Sequence, residues 1–251
     1  MRKPIIAANW KMHKTVSEAW SFVNQLKPLL DGVAGVEVVI CPPFPLLPAV
    51  GQALAGTGWA LGAQNLHWEK QGAFTGEVSG PMLADLGCKY VVIGHSERRQ
   101  FFGETDHSVN LKVKAAFANQ LTPIVCVGER LDERQTGRTN EVVARQTEGA
   151  LSGLKAAEVS RLVIAYEPVW AIGTGKAATP EDANEVSAYI RHVISGLCGK
   201  DSAEQVRIQY GGSVKPANIG DFMAQTEVDG ALVGGASLEA ESFAGIVKFG
   251  K

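Results

Sequence analysis

The sequence predicts an α/β protein folded as a closed (β/α)₈ barrel. Eight short apolar runs rich in β-branched residues alternate with longer amphipathic segments, and strict alternation of this kind is typical of a parallel sheet covered by helices. The runs recur about every 30 residues, without a linker or a shift in composition, which favours closure into a barrel. An open, doubly wound sheet is the alternative. We expect a single domain that covers residues 1–251.

The predicted strands are continuous apolar runs, as expected for parallel strands buried on both faces. In chain order they cover residues 4–10, 36–41, 59–63, 90–93, 122–127, 162–166, 206–210 and 230–233. The clearest predicted helices cover residues 17–30, 111–119, 140–151, 180–197 and 216–223. The helix start at Pro180 is also marked by Thr179, a good N-cap, and by acids in the first turn. One connection, 64–79, is long and aromatic without a helical period, which indicates a functional or interfacial loop.

Composition excludes several classes of protein. The formal net charge of −2 gives no global attraction to nucleic acid or to an acidic membrane surface, and no apolar stretch approaches the length of a membrane span. The four cysteines are widely scattered and form no cluster with metal-ligand spacing. We therefore expect reduced thiols in a cytoplasmic protein.

A carboxylate stands at the carboxyl end of the sixth predicted strand. Glu167 directly precedes Pro168, whose ring restricts both residues to extended backbone. A bulky apolar segment with glycines at its tip then leads to the next helix. This order is typical of a general base beneath a closing lid, and an exposed glutamate on a surface loop is the alternative. The predicted lid consists of Pro168, Val169, Trp170, Ala171, Ile172, Gly173, Thr174, Gly175 and Lys176.

Further candidate residues follow the first and fourth strands. In a (β/α)₈ barrel the carboxyl ends of all strands lie at one face, where active sites form. Asn9, Lys11 and His95 all belong to that face. His95 stands before a plausible helix start, where the helix dipole disfavours an added positive charge, so a neutral imidazole is expected to donate a hydrogen bond to a carbonyl oxygen. Lys11 would supply positive charge, held by an ion pair with Glu97. A structural histidine and a solvated lysine are the alternatives.

Paired glycines follow the seventh and eighth strands. Gly211-Gly212 and Gly234-Gly235 can present backbone N–H groups with no Cβ in the way, which suits an anion. The loops after these two strands frequently form the phosphate site of such barrels. Ser213 is expected to add a donor, and Gly173 a contact from the lid. Tight turns without a ligand are the alternative.

These segments resemble the triosephosphate isomerase family, whose fold is the TIM barrel. The matching motifs are Asn9-Trp10-Lys11-Met12, Gly94-His95-Ser96-Glu97-Arg98-Arg99, residues 165–176, Tyr210-Gly211-Gly212-Ser213-Val214 and residues 229–238. The resemblance extends from Lys3 to about Phe249, with no departure at a functional position.

The resemblance implies interconversion of dihydroxyacetone phosphate and D-glyceraldehyde 3-phosphate without a cofactor or metal. In that family the residue matching Glu167 moves the carbon-bound proton, and the one matching His95 is the electrophile. Lys11 and Asn9 would stabilise the enediolate, with Glu97 in support. The family is usually dimeric, so loop 64–79, which contains Thr75, is expected to insert beside Asn9 and Lys11 of the partner subunit.

Two other functions remain open from the residues alone. A barrel that binds sugar phosphates without turnover would need the glycine turns but not Glu167 with His95. An aldolase would need a lysine at a strand end as Schiff-base nucleophile, and Lys11 is the candidate.

Overall fold

The chain folds into a closed barrel of eight parallel strands, which confirms the predicted (β/α)₈ architecture and excludes the open sheet. The structure is a computed structural model and describes residues 2–172 and 178–250. The strands follow one another around the barrel in chain order, and β8 pairs with β1 to close it. In order, β1 to β8 are Ile5–Asn9, Glu37–Cys41, Ala60–Ala63, Tyr90–Ile93, Thr122–Val127, Val163–Tyr166, Arg207–Tyr210 and Gly230–Val233.

Helices occupy the connections between the strands. In order, α1 to α12 are Val16–Leu29, Leu47–Ala53, Gly80–Asp85, Ser96–Phe101, Asp106–Ala118, Leu131–Gln135, Thr139–Leu151, Ala156–Val159, Pro180–Cys198, Lys200–Gln205, Ile219–Met223 and Ala240–Val247. Short 3-10 helices cover Phe44–Leu46, Val169–Ala171 and Gly235–Ser237. Within residues 2–172 and 178–250, no helix is both long and apolar enough to cross a membrane.

Two helix starts differ from the predictions. Helix α5 begins at Asp106, five residues before the predicted start, because the Thr105 hydroxyl accepts the Ser108 N–H and caps it. Helix α11 begins at Ile219 rather than at Pro216. The intervening residues form a turn in which the Asn218 side chain accepts the Lys215 N–H at 2.7 Å.

Apolar side chains form two concentric layers. Alternate residues of each strand point to opposite sides, so in β1 Ile5 and Ala7 belong to a cluster inside the barrel, whereas Ile6 and Ala8 pack beneath the helices. At the amino end the interior becomes polar: the Arg207 guanidinium donates to Glu37 at 2.5 Å, and the Tyr90 hydroxyl donates to the same carboxylate. These side chains fill the amino end of the barrel interior. A binding site can therefore form only at the opposite, carboxyl end.

The barrel seam requires a glycine. A Cβ on Gly230 at the start of β8 would lie 1.8 Å from the Ile5 carbonyl oxygen, and the Gly230 φ is +159°. No other residue allows β8 to approach β1 closely enough for the registered pairs Ile5 with Gly230 and Ala8 with Val233.

Candidate active site

The carboxyl ends of the strands surround one cavity of about 260 Å³. It gathers predicted residues from the ends of β1, β4, β6, β7 and β8, as expected if chemistry collects at this face. The predicted residues that line it are Asn9, Lys11, His95, Glu167, Ile172, Gly211, Gly212, Ser213, Gly234 and Gly235. Glu97 and Thr75 do not line it.

Glu167 is buried in the wall of this cavity, with 2% of its surface exposed. Its backbone N–H donates to the Val127 carbonyl at 2.7 Å, which continues the β5–β6 ladder past the end of β6. One carboxylate oxygen accepts the Ser96 N–H at 2.9 Å, and the other lies 3.0 Å from His95 Nε2. The alternative of an exposed glutamate on a surface loop is therefore wrong.

The hydrogen bonds of His95 define its proton position. His95 is the N-cap of α4, and its Nδ1 accepts the Glu97 backbone N–H at 3.2 Å. A nitrogen that accepts a hydrogen bond carries no proton, so the ring proton belongs on Nε2, the nitrogen that faces Glu167. This arrangement directs the Nε2 N–H at the Glu167 carboxylate.

Lys11 occupies a constrained position between β1 and α4. Its Nζ lies 2.5 Å from a Glu97 carboxylate oxygen, which is the expected ion pair. Its φ of 52° is in the left-handed region, which costs a non-glycine residue about 1–3 kcal/mol. The Asn9 side chain accepts the Lys11 N–H at 3.1 Å, and the Gln64 amide donates to the Lys11 carbonyl at 3.0 Å. The backbone is thus fixed on both sides in the conformation that presents the amine.

The two glycine turns form another part of the cavity wall, and Gly211 lies against Glu167, because a Cβ there would be 2.8 Å from Glu167 Cγ. The turn after β8 leads directly into the 3-10 helix Gly235–Ser237, and the Ser237 hydroxyl donates to the Gly234 carbonyl at 2.7 Å. A Cβ on Gly234 would lie 3.3 Å from Lys11 Cε, so the first and last strand ends are in contact here. After β7 the chain makes the Lys215–Asn218 turn before α11, so no helix follows that glycine pair at once.

The first half of the predicted lid is anchored behind the site. Val169–Ala171 forms a 3-10 helix, and Trp170 Nε1 donates to Glu129 at 2.8 Å. The Tyr166 hydroxyl donates to the same carboxylate at 3.2 Å. Burial raises the pKa of Glu129 above its ordinary value, against the opposing effect of these hydrogen bonds. The predicted lid residues Gly173, Thr174, Gly175 and Lys176 lie outside the described residues, and so does the expected contact from Gly173.

The chain after the lid is tied to β7. The Ala178 N–H, just before α9, donates to the Tyr210 hydroxyl at 3.3 Å. Burial raises the pKa of Tyr210 to about 12, so the hydroxyl stays protonated at neutral pH. Its ring stacks on Phe222 with centroids 4.2 Å apart, which holds the hydroxyl in place.

Several residues of this region carry no prediction from the sequence. Gly128 and Glu129 follow β5 at the same barrel face, so the rule that selected the other strand ends would have found them. Tyr210 is the last residue of β7, so its position at a strand end would have selected it by the same rule. Cys126 lies inside the barrel, where burial raises the pKa of its thiol well above the ordinary value, so it is an unreactive, structural cysteine.

A closed eight-stranded barrel with a buried carboxylate, an imidazole and a paired lysine at its strand ends defines a (β/α)₈-barrel enzyme. The model of the family described as triosephosphate isomerase matches residues 4–250, and the chain belongs to this family. The triosephosphate isomerase of Moorella thermoacetica is 60% identical over 249 residues, which cover 99% of both chains. That of Carboxydothermus hydrogenoformans is 59% identical over 99% of both chains. That of Caldanaerobacter subterraneus subsp. tengcongensis is 60% identical over 99% of this chain and 100% of the relative.

Proposed function

We propose that this protein interconverts dihydroxyacetone phosphate and D-glyceraldehyde 3-phosphate by proton transfer through an enediolate, the isomerisation used in glycolysis and gluconeogenesis. The observation that carries the proposal is the buried pair of His95 Nε2 and the Glu167 carboxylate, 3.0 Å apart in one cavity. A carboxylate base beside a neutral N–H donor is what removal of a proton next to a carbonyl requires.

The hydrogen bonds suggest how substrate would engage the pair. The N–H group of His95 is directed at Glu167 in the structure. In the complex, this same N–H would donate a hydrogen bond to the substrate carbonyl oxygen. A bound carbonyl oxygen would take over that N–H and release the carboxylate to accept the proton from the adjacent carbon. Glu167 would then return the proton to the neighbouring carbon, while His95 moves protons between the two oxygens.

Lys11 and Asn9 would stabilise the negative charge of the enediolate oxygens. The Lys11 amine needs a fixed position for this purpose, because a preorganised charge is worth more than one that must reorient. The ion pair with Glu97 and the constrained backbone of Lys11 both support such a role.

The phosphate group would bind at the glycine turns. Gly212, Gly234 and Gly235 line the cavity together with Ser213, and backbone amides of such turns suit a phosphate dianion. Gly173 would add a contact from the lid, and closure of the lid would exclude water from the enediolate.

A coupled assay with glyceraldehyde 3-phosphate, without added metal or nucleotide, tests the proposal. Turnover by the purified protein is the expected result. Binding of the sugar phosphate without turnover would indicate the non-catalytic barrel instead, and a borohydride-trapped adduct on Lys11 would indicate an aldolase. No observation on the site favours either alternative.

The same proposal includes a homodimer in the cytoplasm. Several large apolar side chains are exposed: Phe74 of the predicted dimer loop is 43% exposed, and Met12, Phe101 and Phe102 are 93%, 67% and 66% exposed. Loop 64–79 is internally ordered by aromatic contacts, since the rings of His67 and Phe74 lie 4.2 Å apart. A preformed loop that presents aromatic side chains in this way suits insertion into a second copy of the chain.

A further inference from the structure

The side chain of Gln146 binds both backbone groups of Gly128. Gln146 is on α7, and its amide oxygen accepts the Gly128 N–H at 2.7 Å while its amide nitrogen donates to the Gly128 carbonyl at 3.3 Å. Gly128 directly follows β5. The Val127 and Glu129 carbonyls on either side of it accept the N–H groups of Glu167 and Val169 on the β6 side. The N–H and carbonyl of Gly128 therefore face the β4 side, where the registered pairs of β5 end at Val125. The amide of Gln146 therefore takes the place of a further strand at this point.

Gly128 lies directly against the backbone of Glu167. A Cβ on Gly128 would be 1.7 Å from the Glu167 carbonyl oxygen and 2.5 Å from its carbonyl carbon. The next residue, Glu129, accepts the Val169 N–H at 3.0 Å and so holds the first residues of the lid. Any shift of the Gly128 peptide would move the Glu167 backbone, because no atom lies between them.

Behind Gly128 the protein is not densely packed. A second cavity, of about 940 Å³, is lined by Gly128, Gln146 and Glu167 itself, and it opens to solvent between exposed side chains such as those of Arg130 and Asp132. Side chains in a well-packed interior are held by contacts on every side, but this side of Gly128 opens into a cavity. The two hydrogen bonds from Gln146, which is only 6% exposed, replace the packing that is absent there.

We propose that Gln146 is a positioning residue that sets the location of the Glu167 carboxylate through the Gly128 peptide. It touches neither substrate nor the reacting atoms. The inference rests on the proposed isomerase function, because it assigns Glu167 the role of the base. Loss of the Gln146 hydrogen bonds would let Gly128 relax toward the second cavity and draw the base away from the substrate carbon.

The Gln146→Met variant tests this, since methionine has nearly the same length and fills the same space without either hydrogen bond. We expect kcat to fall by about 10- to 100-fold, the scale on which small misplacements of a catalytic group act. KM and the inhibition constant of inorganic phosphate should stay within about two-fold, because the glycine turns are untouched. Proton abstraction should become more rate-limiting, so the primary deuterium isotope effect on kcat should rise.

Asn110→Leu is the matched control. Asn110 is a buried amide on α5 that donates to the Ala150 and Ser152 carbonyls at 2.9 Å and so anchors the carboxyl end of the same helix α7. It should lose stability in urea much as Gln146→Met does, but keep the wild-type kcat and isotope effect. If Gln146→Met does not fold, Gln146→Glu replaces it: a carboxylate still accepts the Gly128 N–H but cannot donate to the Gly128 carbonyl, so kcat and the isotope effect should shift in the same direction.

A wild-type kcat and isotope effect in the folded Gln146 variant would overturn the inference. So would equal losses of kcat in the Gln146 and Asn110 variants without a change in isotope effect, which would indicate a purely structural role. Absence of turnover in the wild type would refute the proposed function itself, and the two failures are therefore distinguishable.

Discussion

His95 Nε2 lies 3.0 Å from a carboxylate oxygen of Glu167, and both side chains are buried. The proposed electrophile and the proposed base thus share one hydrogen bond. Each holds the other in place, and substrate binding would have to exchange this bond for one to its carbonyl oxygen.

Replacement of the base should abolish most activity. We expect Glu167→Gln to keep the fold and phosphate binding while turnover falls by at least ~10²–10⁴-fold, the usual contribution of a positioned acid–base group. The amide has nearly the same shape but cannot take up the proton. Steady-state assays measure the loss, and inhibition by inorganic phosphate serves as the binding control. Near wild-type turnover would remove Glu167 from the mechanism.

Tyr210→Phe isolates the tie between β7 and the end of the lid segment. The variant loses the hydrogen bond from the Ala178 N–H but keeps the ring that stacks on Phe222. Because this hydrogen bond fixes the end of the lid segment, kcat should fall. The contribution of one hydrogen bond, about 0.5–1.5 kcal/mol, limits the loss to about tenfold. Tyr189→Phe, on the outer helix α9, is the matched control. Equal kcat values in the two variants would count against a role for this tie.

Deletion of residues 172–175 should change the products. An enediolate exposed to water can expel phosphate from the adjacent carbon, because the carbon–oxygen bond can align with the electron-rich π system. A closed lid would oppose this by holding the phosphate in the bond plane and excluding water. We expect a folded but slow variant that releases inorganic phosphate and a dicarbonyl product. The measurement is phosphate released per isomerisation, and an equal ratio in the wild type would show that the lid does not protect the intermediate.

Charge placed in the predicted dimer loop should separate the subunits. Thr75 is exposed in the single chain, but it would be buried if loop 64–79 inserts into a partner, where an unpaired charge is costly. We expect Thr75→Arg to sediment as a monomer with reduced activity, because the docked loop would support Asn9 and Lys11. A wild-type protein that sediments as a monomer would contradict the proposal, as would an unchanged dimer of the variant.

Glu104 links pH to stability. Burial acts to raise the pKa of its carboxyl, but Lys112 and Arg98 outweigh burial and hold that pKa below its ordinary value of 4.5. Because the folded pKa is the lower one, the stabilisation is complete above pH 4.5 and is lost as pH falls through the folded pKa. Glu104→Gln leaves Lys112 buried without its partner, and should cost about 3–5 kcal/mol near neutral pH.

Urea unfolding across the acid range checks this prediction. The difference in unfolding free energy between the wild type and Glu104→Gln should shrink as the pH falls below 4.5. A difference that stays constant with pH would show that Glu104 contributes no stability through its charge.

The barrel could be predicted because parallel strands that are buried on both faces appear in the sequence as short, continuous apolar runs. β4, β5 and β8 have the predicted bounds, since each is a mainly apolar run that is followed directly by a glycine. Helix starts were harder, because they depend on which side chain caps the backbone. The Ser108 hydroxyl accepts the Thr105 N–H at 2.9 Å and completes the cap of α5, yet serine is a weaker signal at that position than the usual glutamate.

The site was predictable where its residues lie at the carboxyl ends of strands or just after them. Asn9, His95 and Glu167 were placed by strand position alone, since a barrel brings all the carboxyl ends to one face. The Glu97 pair with Lys11 was also anticipated. Gln146 was not, because it is a mid-helix residue whose partner is 18 positions away and is selected only when α7 packs against β5.

The seam between β8 and β1 has a consequence for the order of events during synthesis. Residues of β1 leave the ribosome first, but one edge of that strand has no partner until Gly230–Val233 has also emerged. Until then a nascent sheet would expose apolar strand edges, the kind of surface that invites association between chains. The proposed active site also spans this seam, since Lys11 meets Gly234 across it. The active site would therefore be complete only after β8 has paired with β1. A nascent chain that stalls before β8 would be inactive, and it would also be prone to aggregate.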